Sequence, residues 1–331
     1  MVYWERWSKA METIEGYLGI DTSCYTTSVA VVGRQGNLVD EVRRVLDVKP
    51  GKRGLAQSEM VFQHTRNLPD LIERIFHRHN MKVIGIGVSK QPRPIDDSYM
   101  PAFLSGYGFA RSLAAMLKVE LVSISHQENH LEAGLFSSGA PIANRFLMLH
   151  ASGGTTELLI AEPVVGSRYI LSEVGGSIDL HAGQFVDRVG VALGLQFPAG
   201  AELEKVAMKA IKPYSLPVSV KKEKISFSGP ATAALRAIES GVDSDRVALG
   251  VEFTLAESFA RCILNVVKMN SIADVLLVGG VTANDYVRNH ITKVLGNHNI
   301  VVHVPNPVFS SDNAVGCAAA ARRILEKYND R

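Results

Sequence analysis

The chain has 331 residues, enough for one large or two ordinary domains, and its 47% of apolar side chains can form a sizeable core. A net charge of +2 gives no argument from charge alone for a nucleic-acid or membrane partner. The cysteines Cys24, Cys262 and Cys317 are far apart, which argues against a disulfide frame or a cysteine-built zinc site. No apolar run approaches the roughly 20 residues that cross a bilayer, so we expect a cytoplasmic protein without a membrane partner.

The first predicted elements form a hairpin that recurs later in the chain. Residues 18–31 are typical of strand, small polar turn and strand, and residues 147–160 repeat the pattern. The polar positions that align are Ser23 with Ser152, Thr26 with Thr155, and Thr27 with Thr156. Two such hairpins about half a chain apart predict two similar lobes made by duplication, and chance likeness between hairpins is the alternative.

The domain organisation follows from this repeat. We predict an N-terminal extension at 1–16, a first lobe at 17–142, and a second lobe at 143–331 that includes a closing C-terminal helix. The boundary is placed where Ser, Gly, Pro and Asn cluster, near residues 137–144.

After each hairpin, apolar periodicity predicts alternating helices and strands, the pattern of an α/β protein. In the first lobe these are a helix at 58–77, kinked at Pro69, a strand at 83–88, a helix at 102–117 and a strand at 120–124. In the second they are helices at 182–193, 201–210 and 254–269, strands at 275–278 and 301–304, and the closing helix at 314–327.

Three glycine- or hydroxyl-rich loops are candidates for binding phosphate. Residues 151–156 offer glycines and successive amide donors, which together can form an anion-binding nest. Residues 22–27 would be the facing loop, with Ser23, Thr26 and Thr27 as its hydroxyls. Gly279 and Gly280 follow a buried strand and precede a helix start that Thr282 or Asn284 would cap. Ordinary turns are the alternative for each loop taken alone.

A metal site is predicted at His126 and His130, which share one helical face at i and i+4. Asp312 could add an anionic ligand, leaving positions open for substrate, and iron or zinc suits imidazole better than magnesium does. Surface or core histidines are the alternative. Zincin-type proteolysis is excluded, because Gln127 holds the position of the base and Glu128 lies about 200° around the helix from His126.

Two basic clusters are either solvated loops or contacts to RNA phosphates. Their members are Arg43, Arg44, Lys49, Lys52 and Arg53 in the first, and Lys221, Lys222 and Lys224 in the second.

Several short motifs, each weak alone, occur together from Leu18 to the last helix. They are Gly19–Cys24, His126 with His130, Ser152–Gly154, Ser177–Asp179, Gly183–Asp187, Gly194–Pro198, Phe227–Gly229, Gly279–Asn284 and Asp312–Asn313. In this order they resemble the tRNA N6-adenosine threonylcarbamoyltransferase family, formerly the O-sialoglycoprotein endopeptidase or glycoprotease family.

The resemblance implies two ribonuclease-H-like lobes of the actin/Hsp70/sugar-kinase superfamily, with a nucleotide- and metal-binding cleft between them. It implies transfer of a threonylcarbamoyl group from threonylcarbamoyl-AMP to N6 of an adenosine in tRNA, together with partner proteins. The family's metal ligands fall on His126, His130 and Asp312. Its adenylate contacts fall on the residues His150, Ala151, Ser152, Gly153, Gly154, Asp187, Gly200 and Asn284, with Gly279 and Gly280 beside them and Asp187 holding the ribose.

The chain also departs from the family pattern. Both loop acids after Cys24 are replaced, by Tyr25 and Thr26; Thr155 and Gln184 replace a histidine and a glutamate; and the lysine after Phe227–Gly229 is lost. Three functions therefore stay open: an active transferase, a non-catalytic paralogue that binds ATP or an adenylate as a scaffold or regulator, and a carbamoyltransferase with another acceptor.

Overall fold

The computed structural model describes residues 13–23, 25–48, 55–138, 144–164 and 168–329. The chain divides into two compact units, Met1–Ala133 with Asp312–Arg331 (unit 1) and Gly134–Ser311 (unit 2). Each unit is built on one mixed β-sheet with helices packed against it, which confirms the predicted α/β class. The predicted extension lies almost wholly outside the described residues.

Unit 1 has a five-stranded sheet in the order β3-β2-β1-β4-β5. Antiparallel pairs join β1 to β2 and β2 to β3, and parallel pairs join β1 to β4 and β4 to β5. The central strands are buried on both faces, as expected from their continuous apolar runs. The strands are β1 (Ile14–Asp21), β2 (Thr26–Gly33), β3 (Leu38–Val45), β4 (Met81–Gln91) and β5 (Leu121–Ser125).

Helices cover both faces of this sheet. On one face α1 (Gln57–Arg78) packs its apolar stripe of Leu68, Leu71 and Ile75 into the core, with α2 (Ala102–Leu117) beside it. Pro69 lies inside α1. On the other face α9 (Val315–Asn329) packs against β1, β4 and β5. The histidine pair opens α3 (His126–Ser138), which follows β5 directly.

Two glycines allow the backbone of α9 to lie directly on the sheet. A Cβ at Gly19 would come 2.2 Å from the carbonyl oxygen of Ala314, and one at Gly87 would come 1.9 Å from that of Cys317. The closing helix therefore belongs to unit 1, whereas the sequence placed it in the second lobe. The hairpin repeat identifies where each sheet begins, but it carries no information on which sheet a terminal helix will cover.

Unit 2 has a seven-stranded sheet in the order β12-β11-β6-β7-β8-β10-β9. Its strands are β6 (Phe146–Ala151), β7 (Thr156–Val164), β8 (Arg168–Ser177), β9 (Ser219–Lys221), β10 (Lys224–Ser226), β11 (Asp274–Val278) and β12 (Val301–His303). Its helices are α4 (Ala182–Ala192), α5 (Gly200–Ala207), α6 (Ser228–Glu239), α7 (Ser244–Asn270) and α8 (Asp285–Gly296), with short 3-10 helices at Gly280–Ala283 and Pro307–Phe309.

The predicted repeat is present in the topology. The order β3-β2-β1-β4-β5 of unit 1 recurs in unit 2 as β8-β7-β6-β11-β12. In both sheets the first two pairs in this order are antiparallel and the last two are parallel. The two aligned hairpins, β1 with β2 and β6 with β7, both provide the first two strands of this common sheet. Unit 2 adds the small β9–β10 hairpin at one edge.

Candidate metal centre and nucleotide loops

The start of α3 is fixed by its own third residue. The Glu128 carboxylate accepts hydrogen bonds from the Ser125 backbone N–H at 2.6 Å and from its hydroxyl at 2.7 Å. A carboxylate in the first turn of a helix also complements the helix dipole. This cap turns the chain into the helix immediately after β5, so His126 and His130 occupy adjacent turns of one face.

The start of α9 brings Asp312 to the histidines. Asn129, which lies between them in sequence, donates its side-chain N–H to the Asn313 carbonyl at 2.7 Å. The Asn313 side chain accepts from the Val315 backbone N–H at 3.0 Å and so caps α9. Because Asn129 and Asn313 are joined in this way, the short segment that carries Asp312 is held against α3.

The three predicted ligands form one cluster in unit 1. The Nε2 atoms of His126 and His130 are 3.1 Å apart, and the Asp312 Oδ1 atom lies 3.6 Å and 3.5 Å from them. One ligand atom from each residue lies within 4.8 Å of the other two. Two imidazole nitrogens and one carboxylate oxygen converging in this way fit a divalent ion and leave coordination positions open. The structure therefore contains a possible His/His/Asp metal site.

Burial and mutual charge set the protonation of the cluster. Burial, together with the charge of His126, lowers the pKa of His130. Burial opposes the charged form of His126, but Asp21 and Asp312 outweigh it and raise the pKa of that imidazole. Burial also opposes ionisation of Asp312, but its hydrogen bond with His130 and the charge of His126 hold its pKa below the usual range. A low carboxylate pKa and a low pKa at His130 both favour the forms that bind metal.

Two of the three hydroxyls of the predicted loop in unit 1 are hydrogen-bonded inside that unit. Ser23 donates to the carboxylate of Asp21. Thr27 Oγ1 lies 2.9 Å from His64 Nδ1 and accepts from the Asn67 amide at 3.2 Å. Thr26 is 8% exposed, and both Ser23 and Thr27 are fully buried. A phosphate-binding role for the three hydroxyls stays a prediction, and the contacts of Ser23 and Thr27 are structural.

The corresponding loop in unit 2 is open. Gly153 and Gly154 are exposed, and a Cβ added at either would meet nothing within 4 Å. Packing within the unit therefore does not require glycine at these positions. Ser152 closes the turn by donating its N–H to the Thr155 carbonyl at 2.8 Å. The loop thus presents backbone without side chains to whatever approaches it.

The N-terminus of α4 lies against this loop. The Gly183 N–H donates to the Ser152 carbonyl at 3.1 Å, and a Cβ at Gly183 would come 2.5 Å from Gly153 Cα. Gln184 Oε1 accepts from the His181 N–H at 3.0 Å, which is half of a capping box. Gln184 therefore keeps the capping contact that a glutamate would make, which explains why this departure from the family pattern is compatible with the fold.

The end of β11 approaches the end of β6 through Gly279. This glycine has φ +97°, and a Cβ there would come 2.3 Å from the Ala151 carbonyl oxygen. Gly280 is exposed and has open space where a side chain would be. His150 is buried one residue before Ala151 in β6. Adjacent ends of parallel strands are where ligands bind in α/β sheets.

Asp187 lies one turn after Gly183 on α4. Its Oδ1 accepts from the Ala199 N–H at 2.7 Å, so it holds the start of α5, which begins at Gly200. Burial raises the pKa of Asp187, and the bond from Ala199 opposes that shift. The predicted adenylate contacts Gly200 and Asp187 are thus neighbours in unit 2.

Asn284 caps α8, as predicted, by accepting from the Val287 N–H at 2.9 Å. Its amide also donates to Glu252 on α7 at 2.8 Å. Sequence reasoning missed Glu252, which is 3% exposed. Burial, together with the charge of Glu204, raises the pKa of Glu252 to about 7, although the hydrogen bond from Asn284 acts in the opposite direction. The sequence pattern that could have identified Glu252 is an acidic residue within the apolar face of a long helix.

The basic clusters have different surroundings. Arg43 pairs with Glu41 at 2.8 Å, and Arg44 donates to Asn67 at 3.0 Å. Lys49, Lys52 and Arg53 lie outside the described residues. Lys221, Lys222 and Lys224 are exposed at the β9–β10 turn. An RNA contact at either cluster stays a prediction.

Solved structures share the fold. The activator of 2-hydroxyisocaproyl-CoA dehydratase from Clostridium difficile matches with a TM-score of 0.54 at 13% identity, covering 96% of this chain and 98% of its own. A ROK family glucokinase from Streptomyces griseus matches with a TM-score of 0.53 at 13% identity, covering 93% and 99%. Both matches extend over nearly the whole chain, so the α/β fold described above is shared with these structures. Among the described residues, no helix combines the length and apolar character that crossing a membrane requires.

Curated relatives are closer in sequence. A tRNA N6-adenosine threonylcarbamoyltransferase of Thermus thermophilus is 31% identical over 309 residues, covering 92% of each chain. A probable bifunctional tRNA threonylcarbamoyladenosine biosynthesis protein of Methanothermobacter thermautotrophicus is 30% identical over 298 residues, covering 89% of this chain. The matched region spans 53% of that longer relative. The family model for tRNA N6-adenosine threonylcarbamoyltransferase, TsaD, matches residues 41–319. The chain belongs to this family.

Proposed function

We propose that this protein is a metal-dependent transferase that moves a threonylcarbamoyl group from threonylcarbamoyl-AMP to N6 of adenosine in tRNA. The observation that carries the proposal is the convergence of His126, His130 and Asp312 in a member of this family. Asp312, which is far in sequence from the two histidines, is brought within 4.8 Å of their ring nitrogens by the caps of two helices. A carbamoyltransferase with another acceptor would instead show metal-dependent binding of the threonylcarbamoyl-AMP analogue without transfer to tRNA.

Each unit has its own part in this proposal. In unit 1, His126, His130 and Asp312 would hold one divalent ion, with iron and zinc better suited to imidazole than magnesium. Such an ion, when bound, supplies a Lewis acid for substrate oxygens. In unit 2, the amides of Gly153 and Gly154 and the N-terminus of α4 would bind phosphate, with Ser152 closing the turn that presents them. Asp187 would accept hydrogen bonds from ribose hydroxyls.

The proposed reaction is an acyl transfer from a mixed anhydride. The N6 amine attacks the carbamoyl carbon, the new C–N bond forms, and the bond from that carbon to the phosphate oxygen breaks. AMP leaves with the electron pair, and the amine proton passes to solvent or to the released phosphate. Because AMP is a good leaving group, the residues of the chain mainly position the reactants and stabilise charge.

A second function has a specific observation in its favour. The hydroxyls of Ser23 and Thr27 are buried in internal hydrogen bonds, and the acids that the family carries in this loop are replaced by Tyr25 and Thr26. A protein with a retained adenylate loop and an altered unit 1 loop could bind nucleotide as a scaffold or regulator of the modifying enzyme. Partner proteins, including a family paralogue, belong to either function, as does a cytoplasmic location.

Calorimetry with a non-hydrolysable threonylcarbamoyl-AMP analogue separates the two. We expect binding that depends on added metal and is tighter than that of AMP. Transfer to tRNA should then be abolished in His126→Ala and retained in His303→Ala, a matched change at a histidine of unit 2 that pairs with Asp274 at 2.7 Å. Binding no tighter than that of AMP would support the scaffold, and unchanged transfer in His126→Ala would contradict the metal mechanism.

A further inference from the structure

A buried carboxylate lies on the far side of His126 from the proposed ligand cluster. Asp21, the last residue of β1, is fully buried, and its Oδ1 lies 3.8 Å from His126 Nδ1. The other ring nitrogen of His126, Nε2, is the atom that lies 3.1 Å from His130 and 3.6 Å from Asp312. The Nε2 atom of the imidazole therefore faces the other two proposed ligands, and its Nδ1 atom faces the Asp21 carboxylate.

Asp21 is itself held in place by two hydroxyls. Ser89 on β4 donates to its Oδ1, and Ser23 donates to its Oδ2. Both serines are fully buried. A carboxylate restrained on both oxygens at the end of a central strand cannot swing freely, so its position relative to α3 is set by the sheet. Each carboxylate oxygen thus accepts one hydrogen bond from a serine hydroxyl.

Histidines that bind metal commonly donate their second N–H to a carboxylate, which fixes the tautomer and the ring orientation and makes the ligand more basic. The 3.8 Å between Asp21 Oδ1 and His126 Nδ1 is longer than a hydrogen bond, and a shift of less than about 1 Å would let Asp21 do this for His126. Accepting from Nδ1–H would leave the lone pair of Nε2 directed at the cluster. Nothing in the role requires Asp21 to touch the ion or a substrate.

We propose that Asp21 is a positioning residue for His126, held by Ser23 and Ser89, and that it tunes the affinity of the His126/His130/Asp312 site for its metal. The proposal rests on the proposed metal site. It extends that site to a residue whose side chain offers no ligand to the cluster.

The test is the zinc affinity of the full chain, measured by competition with a chelator, for Asp21→Asn against the unaltered protein. Asparagine keeps the size but loses the charge, and we expect affinity to fall by about 10- to 100-fold, the usual cost of removing such a partner. Asp40→Asn is the matched control, since Asp40 also faces a histidine in unit 1, His79, at 3.0 Å. Its zinc affinity should not change.

A second measurement excludes a merely structural role. In the zinc-loaded protein labelled with ¹⁵N-histidine, the Nδ1–H proton of His126 should have the strongly shifted resonance of a bond to a carboxylate, and Asp21→Asn should remove that shift. The cobalt(II) absorption spectrum should change in Asp21→Asn and not in Asp40→Asn. If Asp21→Asn does not fold, Ser89→Ala replaces it, with a smaller loss of zinc affinity expected because Asp21 keeps one restraint.

The outcomes are distinct. If the unaltered protein binds no divalent ion, the proposed metal-dependent function fails and Asp21 has no site to tune. If the unaltered protein binds zinc and both Asp21→Asn and Ser89→Ala bind it equally well, the metal site stands and the role of Asp21 is overturned. A loss of affinity in Asp40→Asn equal to that in Asp21→Asn would also overturn it.

Discussion

The two aligned hairpins of the duplicated sheet share a buried threonine but differ in the turn before it. In unit 1, Thr27 is buried and bonded to His64 and Asn67. In unit 2, the aligned Thr156 is also buried and accepts from the Ala182 N–H at 2.7 Å. The turn before Thr156 is open, because Gly153 and Gly154 are exposed and a Cβ at either would meet nothing within 4 Å. The comparison teaches that a duplicated scaffold can keep its topology and its buried threonine while the turn of one copy stays available for a ligand.

The largest expected effect is at the metal cluster, which only unit 1 has among the described residues. Asp312→Asn removes the anionic ligand while keeping its size. We expect zinc affinity to fall by more than ~100-fold, because even a residue that only hydrogen-bonds to a metal ligand can account for a loss of that size. Chelator competition on the full chain measures it. Asp274→Asn, at a carboxylate that pairs with His303 in unit 2, is the control. Equal affinity in Asp312→Asn would mean that the cluster is not the site.

The two adjacent glycines after β11 differ in whether the packing of unit 2 leaves room for a side chain. Gly279→Ala places a Cβ 2.3 Å from the Ala151 carbonyl at φ +97°, so we expect a loss of roughly 3 kcal/mol or more in unfolding free energy. Gly280→Ala meets open space and should change stability by less than about 1 kcal/mol. Denaturant unfolding of both variants measures the difference. Similar stabilities would contradict the close approach of β11 to β6.

Glu252 on α7 gives unit 2 a pH-dependent contribution to stability. Its pKa is raised from 4.5 to about 7, so this carboxyl contributes most to stability below about pH 4.5 and that contribution is lost as pH rises through 7. The shift corresponds to roughly 3 kcal/mol as an upper limit. We expect Glu252→Gln, which can keep the bond from Asn284, to be more stable than the unaltered protein at pH 8 and closer to it at pH 5. Urea midpoints at the two pH values measure this, and a constant difference would contradict the shift.

Much of the fold could be predicted because its central elements carry strong patterns. The helix α2 and the strand β11 have nearly the predicted bounds, and Asn284 caps α8 as its spacing indicated. The strand β3 and the β9–β10 hairpin were missed because they lie at sheet edges, where mixed polarity hides the strand period. The start of α7 at Ser244, before the predicted 254, was missed because residues 247–252 form a continuous buried run without the apolar and polar alternation of an amphipathic helix.

The candidate site, like the fold, could be predicted only in part from the sequence. His126 and His130 could be paired from their spacing alone, because one helix places both. Joining Asp312 to them depends on contacts between Asn129 and Asn313, residues 184 positions apart, which no local pattern records. Asp21 and Glu252 were not predicted as functional, because burial next to a specific partner becomes visible only when the tertiary structure brings the two together.

The smallest effects test the loop comparison directly. Thr27→Val removes the buried hydroxyl that bonds to Asn67 and His64, and we expect a loss of about 1–3 kcal/mol in unfolding free energy with little change in AMP affinity. Gly154→Ala should leave stability nearly unchanged, because its Cβ meets no neighbour, yet it should weaken AMP binding by intruding on the exposed amides. Calorimetry with AMP and urea unfolding on the same samples measure both. If instead Thr27→Val weakened AMP binding while Gly154→Ala did not, the ligand-binding loop would be the one in unit 1, and the open glycines of unit 2 would need another explanation.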